Sequence, residues 1–413
     1  MPGSVTRSII VLAVAERLGL RNDLRRILWI QALRAFVYGF GVVVLGFAFA
    51  DSGMSATQVT LVFSAMLAGM AFASYVVGRI GDRVGRRRLY IASLVLMGVA
   101  GTIFALTRNV WVLSLVSLTG TMSTDANESG PITTLEQTMI GQAPAEERLR
   151  VFGRYNAVAY LAGAVGSLAA RGPVFVREIW NGGPTDQRWL LAFPVIALIS
   201  VVLAMGLSAA MEAQREGEAR ERPLERSRAS VFKLSSLFAT DAFAGGFVVS
   251  SFITFWFARQ FHASLSLMSL VFFLGGLLQA GSSIAAARVG KRFGLLKTMV
   301  LSHFPSNLFL IAIPLMPSLG PALVVLTARF ALSQMDVPTR QAYIAAMVDP
   351  QERTAAAAFT NTARYVARPF GQLLTGVLMT NVAVGAPFVV AGTVKCVYDV
   401  VLWRVFRRVE LPS

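Results

Sequence analysis

The chain contains a single cysteine, Cys396, and only two histidines, His262 and His303, among its 413 residues. One cysteine excludes an intramolecular disulfide, and the shortage of thiol and imidazole groups argues against a site for a transition metal. Charged residues are also scarce, at 15% of the chain, whereas 55% is hydrophobic. A soluble domain does not bury so much apolar surface. The composition therefore predicts a membrane protein that crosses the bilayer several times, and we expect neither a metal nor another cofactor.

The few charges are strongly unbalanced, because 38 Lys and Arg face 22 Asp and Glu and leave a formal net charge of +16. Such an excess can indicate nucleic acid binding. Here most of the cations lie in the polar segments that separate apolar runs, which is where the positive-inside rule places them. We therefore expect the basic residues to set the orientation in the membrane and to attract anionic lipid, with no nucleic acid as a partner.

Apolar runs of about 20 residues, the length that crosses the hydrocarbon core, follow one another along the chain. Six lie on each side of a charged, unpatterned segment at 212–233. They cover residues 28–50, 56–78, 89–107, 110–139, 151–171, 189–211, 234–258, 264–287, 295–316, 320–347, 354–379 and 383–406. The pattern predicts an all-α membrane protein with twelve transmembrane helices in two six-helix bundles.

The same runs divide the chain into four parts. Residues 1–27 are predicted to form an amphipathic segment on the cytoplasmic surface. Residues 28–211 are predicted to form the N-terminal bundle, 212–233 a cytoplasmic linker, and 234–413 the C-terminal bundle with a short tail. An even number of spans places both termini on one side, and the basic loops make that side the cytoplasm. We expect a multi-pass protein of the cytoplasmic (inner or plasma) membrane that works as a monomer.

The two halves of the chain resemble each other in sequence. Gly85 corresponds to Gly294, and Arg34 of the first run corresponds to Asp241 of the seventh. Around the fifth and eleventh runs, residues recur at identical spacing: Glu147, Arg148, Asn156, Tyr160, Ala162 and Gly166 match Glu352, Arg353, Asn361, Tyr365, Ala367 and Gly371. The repeat predicts two bundles related by pseudo-symmetry.

The turn at 78–89 places five arginines between two apolar runs, so it must lie outside the lipid. Its pattern resembles the loop between helices 2 and 3 of the major facilitator superfamily, G-x-L-a-D-R-x-G-R-(R/K). The matching residues are Gly78, Asp82, Arg83, Gly85, Arg86 and Arg87, with Ile80 in place of leucine. The resemblance implies a non-enzymatic secondary transporter whose bundles rock around a central cavity. It also implies that this turn is a cytoplasmic latch that stabilises the outward-open state, with close helix approach at its glycines; the alternative is a plain solvated loop.

Ionisable residues within spans are costly, and they are the candidates for a site at the membrane midplane. Asp125 and Glu128 in the fourth run are three residues apart and are predicted to share a helix face, where two close carboxylates favour retention of one proton. The alternative is a span that ends early and leaves both acids solvated. In the tenth run, Asp336 and Arg340 lie one turn apart across Pro338, either as part of a site at a broken helix or as a self-contained pair.

Arg34 and Asp241 carry opposite charges at equivalent positions of the two halves, so we predict that they pair across the bundles in one conformation. A permanently closed structural pair is the alternative. The eleventh run carries Asn361, Arg364 and Arg368 on one stripe at helical spacing, and the fifth run carries Arg154 and Asn156. The arginines of these two spans are predicted either to contact an anionic group of a substrate or to hold the embedded acids.

Together these residues predict transport of a small molecule with protons as the coupling ion. We favour efflux of a drug-like or metabolite substrate by antiport, because the embedded acids supply a coupling device and the complete turn motif is common among exporters of the family that the chain resembles. The drug-antiporter motif R-x-x-Q-G is nevertheless absent from 111–120. Two alternatives stay open: a symporter for an organic anion that uses Arg34, Arg154 or Arg364, and a lipid or lysolipid transporter. Lys395 and Asp399, one turn apart in the last run, are predicted to form a local pair.

Overall fold

The computed structural model describes residues 3–126, 130–141, 145–180, 184, 186–208, 211, 227–348 and 352–408. Within these ranges the chain is nearly all helical and contains no strand. The first half contains α1 (Gly3–Asp51), α2 (Ala56–Val84), α3 (Arg86–Leu106), α4 (Val110–Ser117), α5 (Gly130–Ile140), α6 (Ala145–Ala169), α7 (Gly172–Ile179) and α8 (Ala192–Met205). The second half contains α9 (Arg228–Gly246), α10 (Ser250–Phe261), α11 (Leu265–Phe293), α12 (Leu295–Ala312), α13 (Leu319–Leu332), α14 (Asp336–Met347), α15 (Arg353–Asn381) and α16 (Ala386–Phe406).

Nine stretches of the described residues are long and apolar enough to cross a membrane. The three predicted spans outside this set are the fourth, the tenth and the eleventh. The fourth and the tenth are each divided into two short helices, and the eleventh, α15, is long enough but too polar in composition. The predicted all-α membrane fold is confirmed, and the shortfall in apolar spans comes from helices that carry breaks or charges.

The ends of the predicted segments differ from the helices in two places. Helix α1 runs without a break from Gly3 to Asp51, so residues 3–27 are continuous with the first span. Helix α9 begins at Arg228, six residues before the predicted start of the seventh span, and residues 212–226 of the predicted linker lie outside the described ranges.

Two tight turns at equivalent positions depend on glycine. Gly85 joins α2 to α3 with φ of +100°, and Gly294 joins α11 to α12 with φ of +87°. Side chains rarely adopt this region, whereas glycine enters it without steric cost. Each glycine also donates its backbone N–H to the helix that it ends, to Gly81 O and Gly290 O respectively. The sequence match between Gly85 and Gly294 therefore corresponds to one turn geometry used twice.

The fourth span is broken between Ser117 and Gly130. Gly120 and Gly130 have positive φ, +69° and +47°, which no continuous helix can contain. Pro131 follows in the first turn of α5, where its missing N–H is not needed. Asp125 therefore lies in an irregular segment and not on a helix. Glu128, with which it was predicted to share a helix face, lies outside the described residues.

The same helix crossing occurs in both halves. In the first, a Cβ on Gly39 of α1 would collide with the backbone of Gly163, and one on Gly166 of α6 would collide with the backbone of Phe36. In the second, Gly246 of α9 and Gly371 of α15 make the equivalent close contacts with backbone. Small residues permit such backbone approach between membrane helices. These crossings hold the first and fifth spans of each bundle together.

Replacing Gly166 by leucine is expected to destabilise the N-terminal bundle, because the new side chain would have to displace the backbone of α1. Overpacking of a tight core costs about 1–3 kcal/mol or more. The matched control is Gly153→Leu on the same helix, where a Cβ meets nothing within 4 Å. Thermal unfolding in detergent should show a lower midpoint for the first variant and a nearly unchanged one for the control. Equal midpoints would mean that the crossing is not closely packed.

Candidate functional site

A central cavity of about 360 Å³ lies between the two halves of the molecule. Residues of α1, α6 and the broken fourth span line it from the first half, and residues of α9 to α16 line it from the second. Its lining is rich in ionisable groups. The acidic and basic side chains, with one histidine, are Asp125, Asp241, Asp336, Arg329, Arg340, Arg364, Arg368, Lys395 and His303. The cavity is therefore a polar chamber inside an apolar helical protein.

Asp241 of α9 is the shared carboxylate of a network in the second half. The amine of Lys395 on α16 lies 2.6 Å from its Oδ1 and donates a hydrogen bond to it. The guanidinium of Arg340 on α14 lies 3.8 Å from its Oδ2, and Nε2 of His303 on α12 lies 3.6 Å from its Oδ1. Only 4% of the residue is exposed. One buried carboxylate thus faces cationic or titratable groups from three helices.

Within the second bundle, the network continues from His303 to Asp399. Nδ1 of His303 lies 2.9 Å from Oδ1 of Asp399, and the side-chain amide of Asn307 donates to Oδ2 of the same carboxylate at 3.0 Å. The predicted local pair of Lys395 and Asp399 is wrong. Although the two residues are one turn apart on α16, Lys395 faces Asp241 and Asp399 faces His303.

The predicted proximity of Asp336 and Arg340 is present, with Nη1 of Arg340 3.0 Å from Oδ2 of Asp336. The pair is not self-contained, because Arg340 also approaches Asp241. Both residues line the cavity at the break between α13 and α14. Asp336 opens α14, and Pro338 lies in the first turn of that helix, so the break precedes the proline.

Arg34 forms its ion pair within the first half rather than across the bundles. Its guanidinium pairs with Glu136 of α5, and the hydroxyls of Tyr90 and Tyr155 donate to the two oxygens of that carboxylate, each at 2.7 Å. Gln31, one turn before Arg34, also accepts from the guanidinium. Arg34 is 2% exposed and Glu136 is fully buried. The predicted pair of Arg34 with Asp241 is not formed in this conformation, where each residue has other partners, and its formation in another conformation stays a prediction.

The two halves nevertheless share a charge arrangement of opposite polarity. In the first half the cation, Arg34, is on the first span and the anion, Glu136, is on the fourth. In the second half the anion, Asp241, is on the seventh span and the cation, Arg340, is on the tenth. The first pair is closed off by two tyrosines, and Arg34 and Glu136 are not among the described residues that line the cavity. The second pair borders the cavity and is extended by Lys395 and His303.

Asp125 connects the first half to the second. One of its carboxylate oxygens pairs with the guanidinium of Arg368 on α15, and the other accepts the backbone N–H of Ser250, the first residue of α10, at 3.1 Å. The preceding carbonyl, of Thr124, accepts the backbone N–H of Ser251 at 3.1 Å. Arg368 therefore holds an embedded acid, one of the two roles predicted for the arginines of this span.

The remaining predicted residues divide into two groups. Arg364 lines the cavity, whereas Asn156 and Asn361 are exposed and are not among its described lining residues. Arg329 of α13, to which the sequence assigns no role, also lines the cavity. Sequence reasoning assigned no role to Glu136 or His303 either. A signal was present, since each is an ionisable residue within an apolar run.

The structure describes only some of the side chains of the arginine-rich turn that was predicted to be a latch. Arg86 is buried, and the guanidinium of Arg87 donates to the carbonyl of Met205 at the end of α8, within the same bundle. Arg83 is exposed, and nothing can be said of the side chain of Asp82. A Cβ on Gly78 would meet nothing within 4 Å, so the close helix approach expected there is absent from this conformation.

The bundles are joined at the end opposite to this turn, which we call the closed end. There a Cβ on Gly46 of α1 would lie 2.7 Å from Cβ of Thr254 on α10, and the hydroxyl of Ser64 on α2 donates to the carbonyl of Pro369 on α15 at 2.9 Å. At the end that carries the turn, which we call the basic end, a Cβ on Gly81 of α2 or on Gly281 of α11 would meet nothing within 4 Å. The close contacts named here therefore join the bundles at the closed end.

The family model of the Major Facilitator Superfamily matches residues 27–328 and 240–413. Among curated proteins, the uncharacterized membrane protein YJR124C of Saccharomyces cerevisiae is 24% identical over 424 residues, which cover 93% of this chain and 94% of that protein.

Two solved structures share the fold at low sequence identity. A bacterial homologue of the human lysosomal transporter Spinster, in an inward-facing and occupied conformation, has a TM-score of 0.71 at 16% identity, covering 94% of this chain and 96% of that one. The xylose transporter XylE from E. coli, in its inward-open conformation, has a TM-score of 0.70 at 14% identity, covering 94% and 97%. At these identities the likeness concerns the fold alone.

Proposed function

Because the chain belongs to the Major Facilitator Superfamily, we propose that it carries a small organic anion across the membrane through its central cavity and couples this transport to protons. Family membership supports secondary transport of a solute, and the chemistry of the cavity lining supports the choice of an anion. Among the functions considered from the sequence, that lining favours the anion transporter over efflux of a drug-like compound.

The observation that carries the proposal is Arg329. Its guanidinium lines the cavity, its Nε is buried without a hydrogen-bond partner, and the described residues provide it with no ion pair. The carboxylates of Asp125 and Asp241 are the ones that attract Arg329 electrostatically. Each of them already forms an ion pair with another cation, Asp125 with Arg368 and Asp241 with Lys395. An uncompensated charge within a membrane is costly. An anionic solute would supply the missing counter-charge through charge-assisted hydrogen bonds.

Proton coupling is assigned to the network around Asp241. That carboxylate borders the cavity, and the charged or titratable groups that face it are Lys395, Arg340 and His303, with Asp399 and Asp336 behind them. A proton on Asp241 would remove the charge that holds Lys395 and Arg340. An imidazole, whose ordinary pKa lies near neutrality, connects this carboxylate to Asp399. Substrate and proton would thus act on adjoining parts of one cavity.

The orientation of the molecule is assigned from its basic end. Lys and Arg concentrate on cytoplasmic loops, and the turn at 78–89 with its five arginines lies at that end. The basic end would then face the cytoplasm, and a cavity whose bundles are joined at the opposite, closed end would correspond to an inward-facing conformation. Both termini would be cytoplasmic, as the sequence predicts.

The proposal is tested by uptake into proteoliposomes under an imposed pH gradient, with the protein in both orientations. The panel contains monocarboxylates, dicarboxylates, organic phosphates, cationic drugs, neutral sugars and a lysophospholipid. We expect an anion to be transported, the pH gradient to stimulate its transport, and the stimulating polarity to distinguish symport from antiport. Transport of only cationic or neutral compounds would contradict the proposal.

Arg329→Gln is expected to raise the KM for the transported anion about tenfold or more, because one lost charge-assisted bond is worth about 1.5–3 kcal/mol. The matched control is Arg404→Gln, which removes an exposed arginine in the last turn of α16 that is not among the described residues of the cavity lining. The control should keep the parental KM. A normal KM in the Arg329 variant would remove this residue from the binding site.

A further inference from the structure

Asp125 combines two features that a purely structural acid does not need. It lies in the irregular segment between Gly120 and Gly130, outside any helix. Its carboxylate belongs to the first half and lines the cavity, whereas the groups that it contacts belong to the second half. Those partners are a guanidinium, from Arg368, and the backbone N–H at the start of α10. Arginine and a helix N-terminus are two of the groups that proteins use to bind a free carboxylate.

A second arginine lies in the same cavity. Arg329 has no ion pair within the described ranges, and the charge of Asp125 is one of the two that act on it. The group therefore consists of Arg368, Arg329 and the Ser250 N–H on one bundle, with a single carboxylate supplied by the other. A carboxylate that arrives in solution would find the same donors that Asp125 contacts now.

We infer that Asp125 occupies an anion subsite of the cavity, and that the carboxylate of the substrate replaces it there, bound by Arg368 and Arg329. This inference rests on the proposed anion transport and adds the substrate class, a carboxylate, together with the residues that receive it. Asp125 is in this sense an internal competitor for the substrate.

The replacement would also link binding to the closed end. Asp125 and the neighbouring Thr124 accept the first two backbone N–H groups of α10, and α10 packs against α1 at Gly46. A ligand shifts a conformational equilibrium only through its different affinity for the two states. A substrate carboxylate that displaces Asp125 binds best when this contact is broken. It would therefore favour the state in which the closed end has opened.

Two variants separate the charge of Asp125 from its hydrogen bond. Asp125→Asn removes the charge that competes for Arg368. Ser250→Pro removes the N–H that Asp125 accepts, together with the Ser250 hydroxyl, and keeps the charge of Asp125. The backbone can accept proline, because proline is favoured at the first position of a helix and Val249 before it is already extended, at φ −66° and ψ 157°. Opening is reported by Thr254→Cys in a Cys396→Ser background, since Thr254 is fully buried at the closed end.

The experiment measures labelling of the thiol introduced by Thr254→Cys with a membrane-impermeant maleimide added from the side of the closed end, and binding of benzoate, succinate and inorganic phosphate to the purified full chain. Without ligand, both variants should label faster than the parent, by about fivefold or more. Benzoate or succinate should accelerate labelling of the parent but add little in Asp125→Asn. The same variant should bind these carboxylates about fivefold more tightly, because the competitor is gone, and phosphate should bind more weakly than either.

Unchanged labelling in both variants, or weaker carboxylate binding by Asp125→Asn, would overturn the inference. If Asp125→Asn does not fold, Ser250→Pro with its labelling rate decides alone. The two proposals fail in different ways. Transport of carboxylates by a protein whose variants label normally would leave the proposed function in place without this subsite. Absence of anion binding from every variant would reject the proposed function.

Discussion

Uptake driven by a pH gradient is expected to fall to the background of protein-free vesicles when Asp241 is replaced by asparagine. The carboxylate is the one that Lys395, Arg340 and His303 all approach, at 2.6, 3.8 and 3.6 Å. Asparagine keeps the size of the side chain but can neither carry the charge nor exchange a proton. Removing one partner of a buried ion pair costs about 3–5 kcal/mol, which corresponds to about a hundredfold or more in an equilibrium.

The measurement compares accumulation under a pH gradient with exchange of labelled for unlabelled substrate without one. Exchange requires a folded carrier but no net proton movement, so it reports whether the variant still binds and moves its substrate. The double variant Asp241→Asn with Lys395→Met removes the unpaired amine as well. It is expected to recover exchange and to remain without gradient-driven accumulation. A double-mutant cycle then gives the coupling between the two residues.

Asp336→Asn is the matched control, because Asp336 contacts the same Arg340 at 3.0 Å but not the amine of Lys395. Arg340 would keep Asp241 as a counter-charge, so gradient-driven accumulation should persist at a reduced rate. Normal accumulation by Asp241→Asn would show that this carboxylate does not carry the proton. Equal loss in both variants would place the coupling on Arg340 instead.

A loss of folded protein, rather than of coupling, is expected when Glu136 is replaced by glutamine. Glu136 is fully buried and accepts from Arg34, Tyr90 and Tyr155. The variant would leave the guanidinium of Arg34 buried without its counter-charge, at a cost of about 3–5 kcal/mol. Thermal unfolding in detergent should give a lower midpoint, and the yield of monodisperse protein should fall.

Two further variants test whether the buried, unpaired Arg34 causes the loss of stability in Glu136→Gln. Glu178→Gln, on the exposed side of α7, removes an acid without leaving a buried cation and should leave the midpoint unchanged. Arg34→Met combined with Glu136→Leu replaces the pair by apolar side chains of similar size, which is often neutral or stabilising. If the double variant is stable and still accumulates substrate, the pair is structural. If it is stable but inactive, Arg34 takes part in transport as the sequence predicts.

The different results expected for Asp241→Asn and Glu136→Gln reflect a difference between the ion pairs of the two halves. Each bundle contains an ion pair between its first and fourth spans, but the environments differ. In the first half two tyrosine hydroxyls complete the shell of Glu136. In the second half the carboxylate of the pair, Asp241, lies on the other span of the pair, borders the cavity and is approached by Lys395, Arg340 and His303. A closed pair suits a rigid bundle, whereas a shared carboxylate offers several arrangements of similar energy, which a switch between conformations needs.

Much of the fold could be predicted because it depends on local features. The bilayer sets the length of each span, and Gly85 and Gly294 end helices in a conformation that other residues avoid. The repeat around Gly166 and Gly371 corresponds to an equivalent helix crossing in both halves. The fourth span was predicted less well, because an apolar composition does not show that positive φ at Gly120 and Gly130 interrupts the helix.

Only part of the cavity lining could be predicted from the sequence, and none of its contacts across the bundles. Asp125, Asp241, Asp336, Arg340 and Arg364 line the cavity, and each was selected because burial of a charge within a span is costly. Arg34, Asn156 and Asn361 are not among the described lining residues.

The sequence by itself determined that this protein is a duplicated helical membrane protein with embedded charges, because helix length, turn glycines and polarity act over a few neighbouring residues. Only the tertiary structure decided the partners of those charges. Pseudo-symmetry shows that Arg34 and Asp241 are equivalent, but equivalent positions lie in different bundles and need not face each other. The direction of each side chain depends on how every helix is rotated within its bundle, and that rotation results from packing across the whole molecule.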